Sequence, residues 1–306
     1  MIQVLSSETV NRIKWDALVE QYENPSQFFH FSWYLDAVSP KWKALVYNDY
    51  ECIFPLTSTI KMGFNFFVQP IFTREFNVIG PYSDDVLAQM LMAVKKFNFS
   101  YFGTSTNFND AELSSTARCF QLVKLDISYE QVHQNYSENI KRLLKKSISA
   151  GIEVRAVFDP QILIDLFKNE KGGEFTHLGN KEYTAISQLM IAANAANCAY
   201  QINAYASNEL IASSFYLVSQ HQVLFLKGAV NKMGKSIGAM AALHDHALKV
   251  YCNKLNYFDF GGSNSKGLRE FNLKFGAIDM NYLLLSLNNL PWPAKNWVNK
   301  KYKLNA

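Results

Sequence analysis

Residues 223–227 read Val-Leu-Phe-Leu-Lys, residues 231–236 read Asn-Lys-Met-Gly-Lys-Ser, and residues 257–263 read Tyr-Phe-Asp-Phe-Gly-Gly-Ser. This order predicts a buried strand, a loop of small and polar residues, a helix over 237–250, a second strand and a glycine turn. A loop between a strand and a helix presents backbone N–H groups at the positive end of the helix dipole, where proteins hold phosphates. The stretch therefore favours a group-transfer enzyme over a structural scaffold.

The bulk composition sets the broad class. A chain of 306 residues with 49% hydrophobic and 18% charged residues accommodates one large or two ordinary folded domains and excludes general disorder. The net charge of +4 is too small to indicate nucleic-acid binding by itself. The four cysteines are scattered without a close pair, which favours reduced thiols over a zinc site or a disulfide framework. No signal-peptide pattern and no apolar run of about 20 residues is present, so we expect a cytoplasmic protein.

The two halves of the sequence repeat one order of elements. Residues 44–56 and 202–217 each read as two strands around a polar turn. Downstream, a helix over 84–96 leads into a strand that ends in glycine, as the helix over 237–250 does in the second half. The sequence therefore predicts an α+β fold of two tandem mixed-sheet domains with flanking helices. We place the first domain at 1–130 and the second at 131–306.

Three segments resemble the Fem-type acyltransferases. Residues 141–154 resemble the basic helix, glycine and strand of that family, residues 257–263 its Tyr-Asp-Phe-Gly-Gly strand end, and residues 267–277 its last glycine-bounded motif. The likeness is dense over about 138–277. Fem-type proteins are tandem domains of the GNAT-like (general N-acyltransferase) fold, so the likeness agrees with the internal repeat.

The resemblance implies an N-acyltransferase acting in cell-envelope or surface-polysaccharide synthesis. The donor would be an acyl-CoA or an aminoacyl-tRNA, the acceptor an amine, and no metal is required. The second domain would hold the donor. The first would be a degenerate copy that shapes the acceptor groove, because its loop over 73–76 lacks a glycine.

Several residues would bind the donor on this interpretation. Backbone groups from Leu226 to Gly228 would stabilise the oxyanion, and a degenerate pyrophosphate loop over 231–236 would hold phosphates. Two cations of the basic helix would assist. The alternatives are a polar connection for the loop and a solvated face for the helix. The full donor-binding set is Arg142, Lys145, Leu226, Gly228, Asn231, Gly234, Ser236 and Lys274.

One departure from the family pattern affects the last motif. The family has lysine after the first phenylalanine, whereas this chain has Asn272. Lys274 would substitute for it if the segment is extended, because residues i and i+2 share a face of a strand. The change also favours the alternative that the chain is a catalytically inactive binding protein on the same fold.

Asp259 is the candidate catalytic residue. Its carboxylate lies between two phenylalanines at a strand end, where an acceptor amine would lose its proton. The alternative is a structural partner of the glycine turn or of Arg269. No nucleophile set is recognisable, which agrees with direct aminolysis.

Other chemistry fits the sequence less well. The Gly-Lys-Ser of residues 234–236 imitates a P-loop, but Ala229 stands where the first P-loop glycine is required. His244 and His246 lie about 200° apart on a helix, so they cannot share a metal, and we expect one to be exposed and one packed on the strands. Glu174 or His177, in a glycine-bounded loop, could take a proton or be ordinary loop residues.

The partners of the chain are only broadly predicted. A small-molecule acyl donor and an amine acceptor follow from the resemblance, and tRNA follows if the donor is aminoacylated. The aromatic and basic tail from Leu290 onward suits either peripheral membrane contact or an extended strap on the protein's own surface.

Overall fold

The computed structural model describes residues 1–171, 180–262 and 265–302. The chain divides into two compact units: unit 1 is Met1–Arg118 with Asn281–Ala306, and unit 2 is Cys119–Met280. The second domain expected at 131–306 therefore differs from unit 2, because its last 26 residues cluster with unit 1. The strands are β1 Ile2–Ser6, β2 Lys43–Tyr47, β3 Cys52–Leu56, β4 Ser58–Lys61, β5 Phe64–Val68, β6 Phe99–Thr104, β7 Ser114–Lys124, β8 Glu153–Ala156, β9 Ala199–Ala206, β10 Glu209–Val218, β11 Gln222–Val230, β12 Tyr257–Asp259 and β13 Ile278–Asn288.

The helices alternate with these strands. A short 3-10 helix covers Gln27–His30. The α-helices are α1 Arg12–Glu20, α2 Ser32–Val38, α3 Asp84–Lys95, α4 Tyr129–Gln134, α5 Glu138–Ser149, α6 Pro160–Lys171, α7 Asn180–Ala195, α8 Lys232–Ile237, α9 Ala239–Tyr251, α10 Lys266–Leu273 and α11 Ala294–Tyr302.

Unit 1 contains two groups of strands. The predicted hairpin β2–β3 joins β1 in a three-stranded antiparallel sheet of order β1-β2-β3. The other group has the order β4-β5-β6-β13, and within it β5 and β6 are parallel and are connected through α3. Aromatic rings fill the core of the unit: Phe67 and Phe102 are buried, with ring centroids 4.7 Å apart.

Unit 2 is built on strands of order β7-β12-β11-β10-β9-β8. The predicted hairpin is β9–β10, and its turn residues Ser207 and Asn208 both have positive φ, as a tight two-residue hairpin turn requires. Strands β11 and β12 are parallel and are connected through α8 and α9. Helix α9 packs on β9, β10 and β11, and α5 packs on α9.

The helix boundaries follow local chemistry. Ser137 caps α5 by accepting from the N–H of Ile140, and the helix ends at Gly151, whose φ of 65° is left-handed. The N–H groups of Gly151 and Ile152 then bond the carbonyls of Ile148 and Ser147, which is the Schellman pattern. The basic helix followed by a glycine, expected within residues 141–154, is confirmed.

Candidate functional site

The candidate site lies where β11 and β12 part. The two strands pair in parallel only from Gln222↔Tyr257 to Leu224↔Asp259. Beyond that point Phe260 donates its N–H to the carbonyl of Gln121 in β7, 3.0 Å away, while β11 continues to Val230. Among the described residues, 225–230 therefore have no partner strand on the β12 side, and we call this opening the unit 2 fork.

A β-bulge in β11 lies beside the fork. The β10 register passes from Phe215↔Lys227 to Tyr216↔Phe225, so Leu226 has no partner residue in β10. Gly228 follows, and a Cβ there would come within 3.0 Å of Met240 and Phe225 side-chain carbons. The segment predicted to supply oxyanion donors is thus an irregular strand edge, and bulges of this kind re-aim backbone groups.

Asp259 is fully buried at the base of the fork. Its Oδ1 accepts a hydrogen bond from the N–H of Gly261, 2.8 Å away. Gly261 needs to be glycine, because its φ is 80° and a Cβ would lie 2.4 Å from the carbonyl oxygen of Phe225. The carboxylate therefore holds the glycine turn against β11, which is the structural role considered for it.

The other structural partner considered for Asp259 was Arg269, and the geometry gives Arg269 a different one. Its guanidinium pairs with Asp279, with Nε 3.0 Å from Oδ1 and Nη2 against Oδ2. This pairing holds the pKa of the Asp279 carboxyl below its ordinary value, chiefly through the hydrogen bond from Arg269. The same Oδ1 of Asp279 also accepts from Nε2 of Gln121, 2.9 Å away.

Asn272 completes this network and is buried. Its Nδ2 donates to Oε1 of Gln121 at 3.0 Å, and the backbone of Gln121 bonds Phe260 beside Asp259. The side chain at the position where Fem-type proteins have lysine thus ties α10 to β7.

The expectation for Lys274 is wrong in its geometry. Residues 266–273 form helix α10, and Lys274 is its C-cap in the helical region, with its N–H bonded to the carbonyl of Phe271. The i and i+2 relation of a strand does not apply, so Lys274, which is exposed, does not share a face with Asn272.

The predicted phosphate loop over 231–236 is instead a turn of helix. Asn231 is the N-cap of α8, and its Oδ1 accepts from the N–H of Gly234 at 2.7 Å. Gly234 is buried, and a Cβ would lie 2.6 Å from the carbonyl oxygen of Ile211. Ser236 donates its hydroxyl to the carbonyl of Met233, 2.7 Å away. The N–H of Gly234 and the hydroxyl of Ser236 are therefore already hydrogen-bonded within this helical turn and its cap.

The long helix begins two residues later than predicted. Gly238, at φ 81°, ends α8 and is the N-cap residue of α9 without a side-chain cap. A Cβ on Gly238 would lie 2.9 Å from the carbonyl oxygen of Leu143 in α5. The start of α9 thus offers backbone N–H groups and the positive end of a 13-residue helix.

Helix α5, which carries the two predicted donor-binding cations, packs against both α8 and α9. Arg142 and Lys145 are exposed, and neither has a hydrogen-bond or ion-pair partner within the described part of the chain. Lys141 differs, since it pairs with Glu138 at 3.2 Å. Packing therefore places the helix that carries these cations against the uncapped start of α9.

His244 is packed on the strands, as expected for one member of the pair, and His246 is half-buried. The Nδ1 of His244 lies 3.1 Å from the hydroxyl of Tyr216, and the His244 ring contacts Phe225 and Phe258. Burial lowers the pKa of His244 to about 3. In the described ranges no group of three or more metal-ligating side chains occurs.

Unit 1 contains a second fork, between β5 and β6, and the unit 1 chain fills it. The pairing ends at Val68↔Tyr101, after which the side chain of Gln69 accepts from the N–H of Gly103 and donates to the carbonyl of Thr73. Phe76 then donates its N–H to the carbonyl of Gly103 at 2.8 Å. In unit 1, residues 69–76 thus bond to β6 beyond the end of β5. In unit 2, no strand of the described residues does the same for β11.

Buried polar groups fix this filling in unit 1. Arg74 and Glu75 form an ion pair at 3.1 Å, with both side chains at most 3% exposed. The Oδ1 of Asn77 accepts from Thr104 and from the N–H groups of Ser105 and Thr106. The expected loop without a cradle glycine is therefore a buried segment held by side-chain hydrogen bonds, and we call it the plug of unit 1.

Three further expectations concern a loop, the cysteines and the membrane. Glu174 and His177 lie outside the described residues. The four cysteines are free thiols, and no helix in the described ranges is long and apolar enough to span a membrane.

The comparisons with known proteins identify the fold. No protein-family model and no curated protein matches the sequence. A solved structure of FemX matches with a TM-score of 0.68 and 9% identity, over 92% of this chain and 96% of that one. The chain has a Fem-type, GNAT-like fold. The predicted likeness and the tandem α+β architecture are confirmed.

Two further structures share this fold. The C-terminal DUF2156 domain of a putative lysylphosphatidylglycerol synthetase from Agrobacterium fabrum has a TM-score of 0.58 and 13% identity, over 94% of both chains. A tandem GNAT protein from the clavulanic acid biosynthesis pathway has a TM-score of 0.54 and 9% identity, over 95% of this chain and 99% of that one. At these identities the likeness establishes the fold, and the reaction is argued from the site.

Proposed function

We propose that the chain is an acyltransferase that moves an acyl or aminoacyl group from an activated donor to an amine. The observation that carries the proposal is the unit 2 fork, in which an irregular edge of β11 leaves its parallel partner beside a buried carboxylate. Acyl-CoA or aminoacyl-tRNA is the donor class, and the neighbours of the same fold include a tandem GNAT protein and FemX.

The donor carbonyl would lie along residues 226–228. The acceptor nitrogen attacks the carbonyl carbon, the C–N bond forms, and the C–S bond of a thioester or the C–O bond of an ester breaks. Backbone N–H groups that hold the oxyanion contribute about 3–4 kcal/mol each in other enzymes. The proton of the amine leaves through water ordered by Asp259 and ends on the departing sulfur or oxygen.

The phosphates of the donor would lie at the start of α9. The N–H groups after Gly238 and the charges of Arg142 and Lys145 support this placement, which moves the phosphate site from Gly234 and Ser236 to the next helix. Asn231 then serves as a helix cap, and Lys274 stays outside the site.

The first test is the melting temperature with and without millimolar CoA and acetyl-CoA. A ligand at 100 times its Kd adds about 2.7 kcal/mol to stability. Lys145→Ala should reduce the shift in a salt-dependent way. The matched control Lys254→Ala, at another exposed lysine of unit 2, should keep it. If no donor class, aminoacyl-tRNA included, shifts melting, the proposed donor site is wrong.

The second test separates catalysis from binding. Asp259→Asn should leave the donor-induced shift and lower the rate of transfer to an amine acceptor. Asn272 is bonded to Gln121, and the N–H of Gly234 is bonded to the Asn231 side chain. Both observations favour the alternative of a donor-binding protein without turnover. That alternative predicts a donor shift and no transfer to any amine by the natural chain.

A further inference from the structure

The end of the chain and one hairpin of unit 1 form a basic and aromatic surface. Residues 55–73 and 280–306 contain no aspartate or glutamate. The Trp–Lys surface consists of the half-buried Lys61 and the exposed Met62, Trp292, Trp297, Lys300 and Lys301.

Packing brings the hairpin and the helix to one place. Val298 and Tyr302 of α11 pack in a cluster with Phe66 and Phe99 of the sheet. Lys61 lies over the ring of Phe66 at 5.8 Å, and Lys301 lies over the ring of Trp297 at 5.1 Å. Burial and the neighbouring charge of Lys301 lower the pKa of Lys61. The two ammonium groups are therefore close, and neither has a carboxylate partner among the described residues.

The apolar members are exposed to an unusual degree. Trp292 is 79% exposed, Trp297 49% and Met62 69%. Large apolar side chains exposed to water are unfavourable, and a binding partner that buries them beside groups of opposite charge to the lysines would be favoured.

We propose that the Trp–Lys surface binds the surface of an anionic lipid bilayer. Lysines near such a surface are attracted by the headgroup charge, and tryptophan prefers the level of the headgroups. The apolar Met62 has nothing to bind on a nucleic-acid backbone, whereas the boundary of headgroups and acyl chains would remove it from water. This placement concerns unit 1 alone and does not depend on the proposed reaction.

The test is flotation of the full chain with vesicles of phosphatidylcholine alone or with an equal part of phosphatidylglycerol. The chain should float with the anionic vesicles, less so at high salt, and should stay behind with the neutral ones. The double variant Lys300→Gln, Lys301→Gln should weaken binding on the order of 25-fold, because each lysine near the surface contributes about 1 kcal/mol.

The matched control is Lys41→Gln, Lys43→Gln, which removes the same charge from exposed lysines elsewhere in unit 1. It should leave vesicle binding nearly unchanged, and Trp297→Ala should weaken it several-fold. All variants should melt as the natural chain does, since the changed side chains are exposed. Equal losses of vesicle binding in the control pair, or binding that does not depend on phosphatidylglycerol, would overturn the proposal. So would a Lys300→Gln, Lys301→Gln variant that no longer binds tRNA in a filter assay but still floats with the vesicles.

Discussion

Each unit contains two parallel strands joined by a helical connection, and in each unit the strands part after three pairs. In unit 1 the gap beside β6 is occupied by residues 69–76, held by Gln69 and by the Arg74–Glu75 pair. In unit 2 the edge of β11 beyond Leu224 has no partner strand among the described residues, and a glycine turn approaches it instead.

The difference shows what separates the filled fork of unit 1 from the open fork of unit 2. The strand order is alike, but in unit 1 a returning segment bonds to β6 in the gap, whereas in unit 2 no strand of the described residues pairs with β11 on that side. We therefore expect the donor to bind in unit 2, and the following experiments test that expectation.

The largest effect should come from breaking the plug in unit 1. Glu75→Ala leaves Arg74 charged and buried, which should cost about 3–5 kcal/mol of unfolding free energy. Urea unfolding measures this loss, and Ser105→Ala, which removes only a hydroxyl donor to Glu75, is the milder control. The donor-induced melting shift should persist in both, and its loss in Ser105→Ala would mean that unit 1 takes part in donor binding.

The next effect concerns the glycine turn of unit 2. Gly261→Ala places a Cβ against the carbonyl of Phe225 and strains a positive φ, which should cost about 2–3 kcal/mol. It should also abolish the donor-induced shift by pushing the turn away from β11. Gly267→Ala, where a Cβ meets nothing within 4 Å, is the matched control; it should not lower stability and should leave the donor-induced shift unchanged. A normal donor shift in a folded Gly261→Ala protein would contradict the open-fork interpretation.

Each unit also buries one histidine, and the pH dependence should report both. Burial lowers the pKa of His30 to about 4 and that of His244 to about 3, against an ordinary value of 6.5. Protonation therefore favours the unfolded chain, so the stability is complete above about pH 6.5 and falls as the pH drops below it. At pH 5 each histidine should cost about 2 kcal/mol.

The variants His30→Asn and His244→Asn should each flatten this dependence, as measured by urea unfolding between pH 5 and 8 (a range chosen to bracket the ordinary titration of His). If the slope below pH 6.5 is unchanged in both variants, the acid sensitivity arises from other groups.

The smallest effect should come from the helix caps that follow the first strand of each fork. Asn231 caps α8 and Ser83 caps α3, so Asn231→Ala and Ser83→Ala should each cost about 1 kcal/mol. Both should keep the donor-induced shift in thermal melting. A shift lost only in Asn231→Ala would return Asn231 to the donor site.

Local patterns predicted much of the architecture. Helix α3 ends within one residue of its predicted bound, α5 is followed by the glycine expected after the basic helix, and both hairpins are present. These features depend on caps, glycine stops and alternation, which act over a few residues. The sequence also predicted one packed histidine on α9, because His244 and His246 lie about 200° apart on a helix.

The details of the site were harder to predict. The break between α8 and α9 depends on Gly238 meeting the backbone of α5, and the burial of Asn272 depends on Gln121, 151 residues away. No spacing rule signals such pairs. Lys274 was misplaced for the same reason, since whether residues 266–273 are extended or helical was decided by packing.

By itself, the sequence determined the tandem α+β plan, the resemblance to Fem-type proteins, and the strand–helix–strand order that positions Asp259 and Gly261. Only the tertiary structure decided which fork is closed and which is open, and which polar groups are already used. The physical reason is that a backbone N–H or a buried side chain is available to a ligand only if no distant segment has bonded it first.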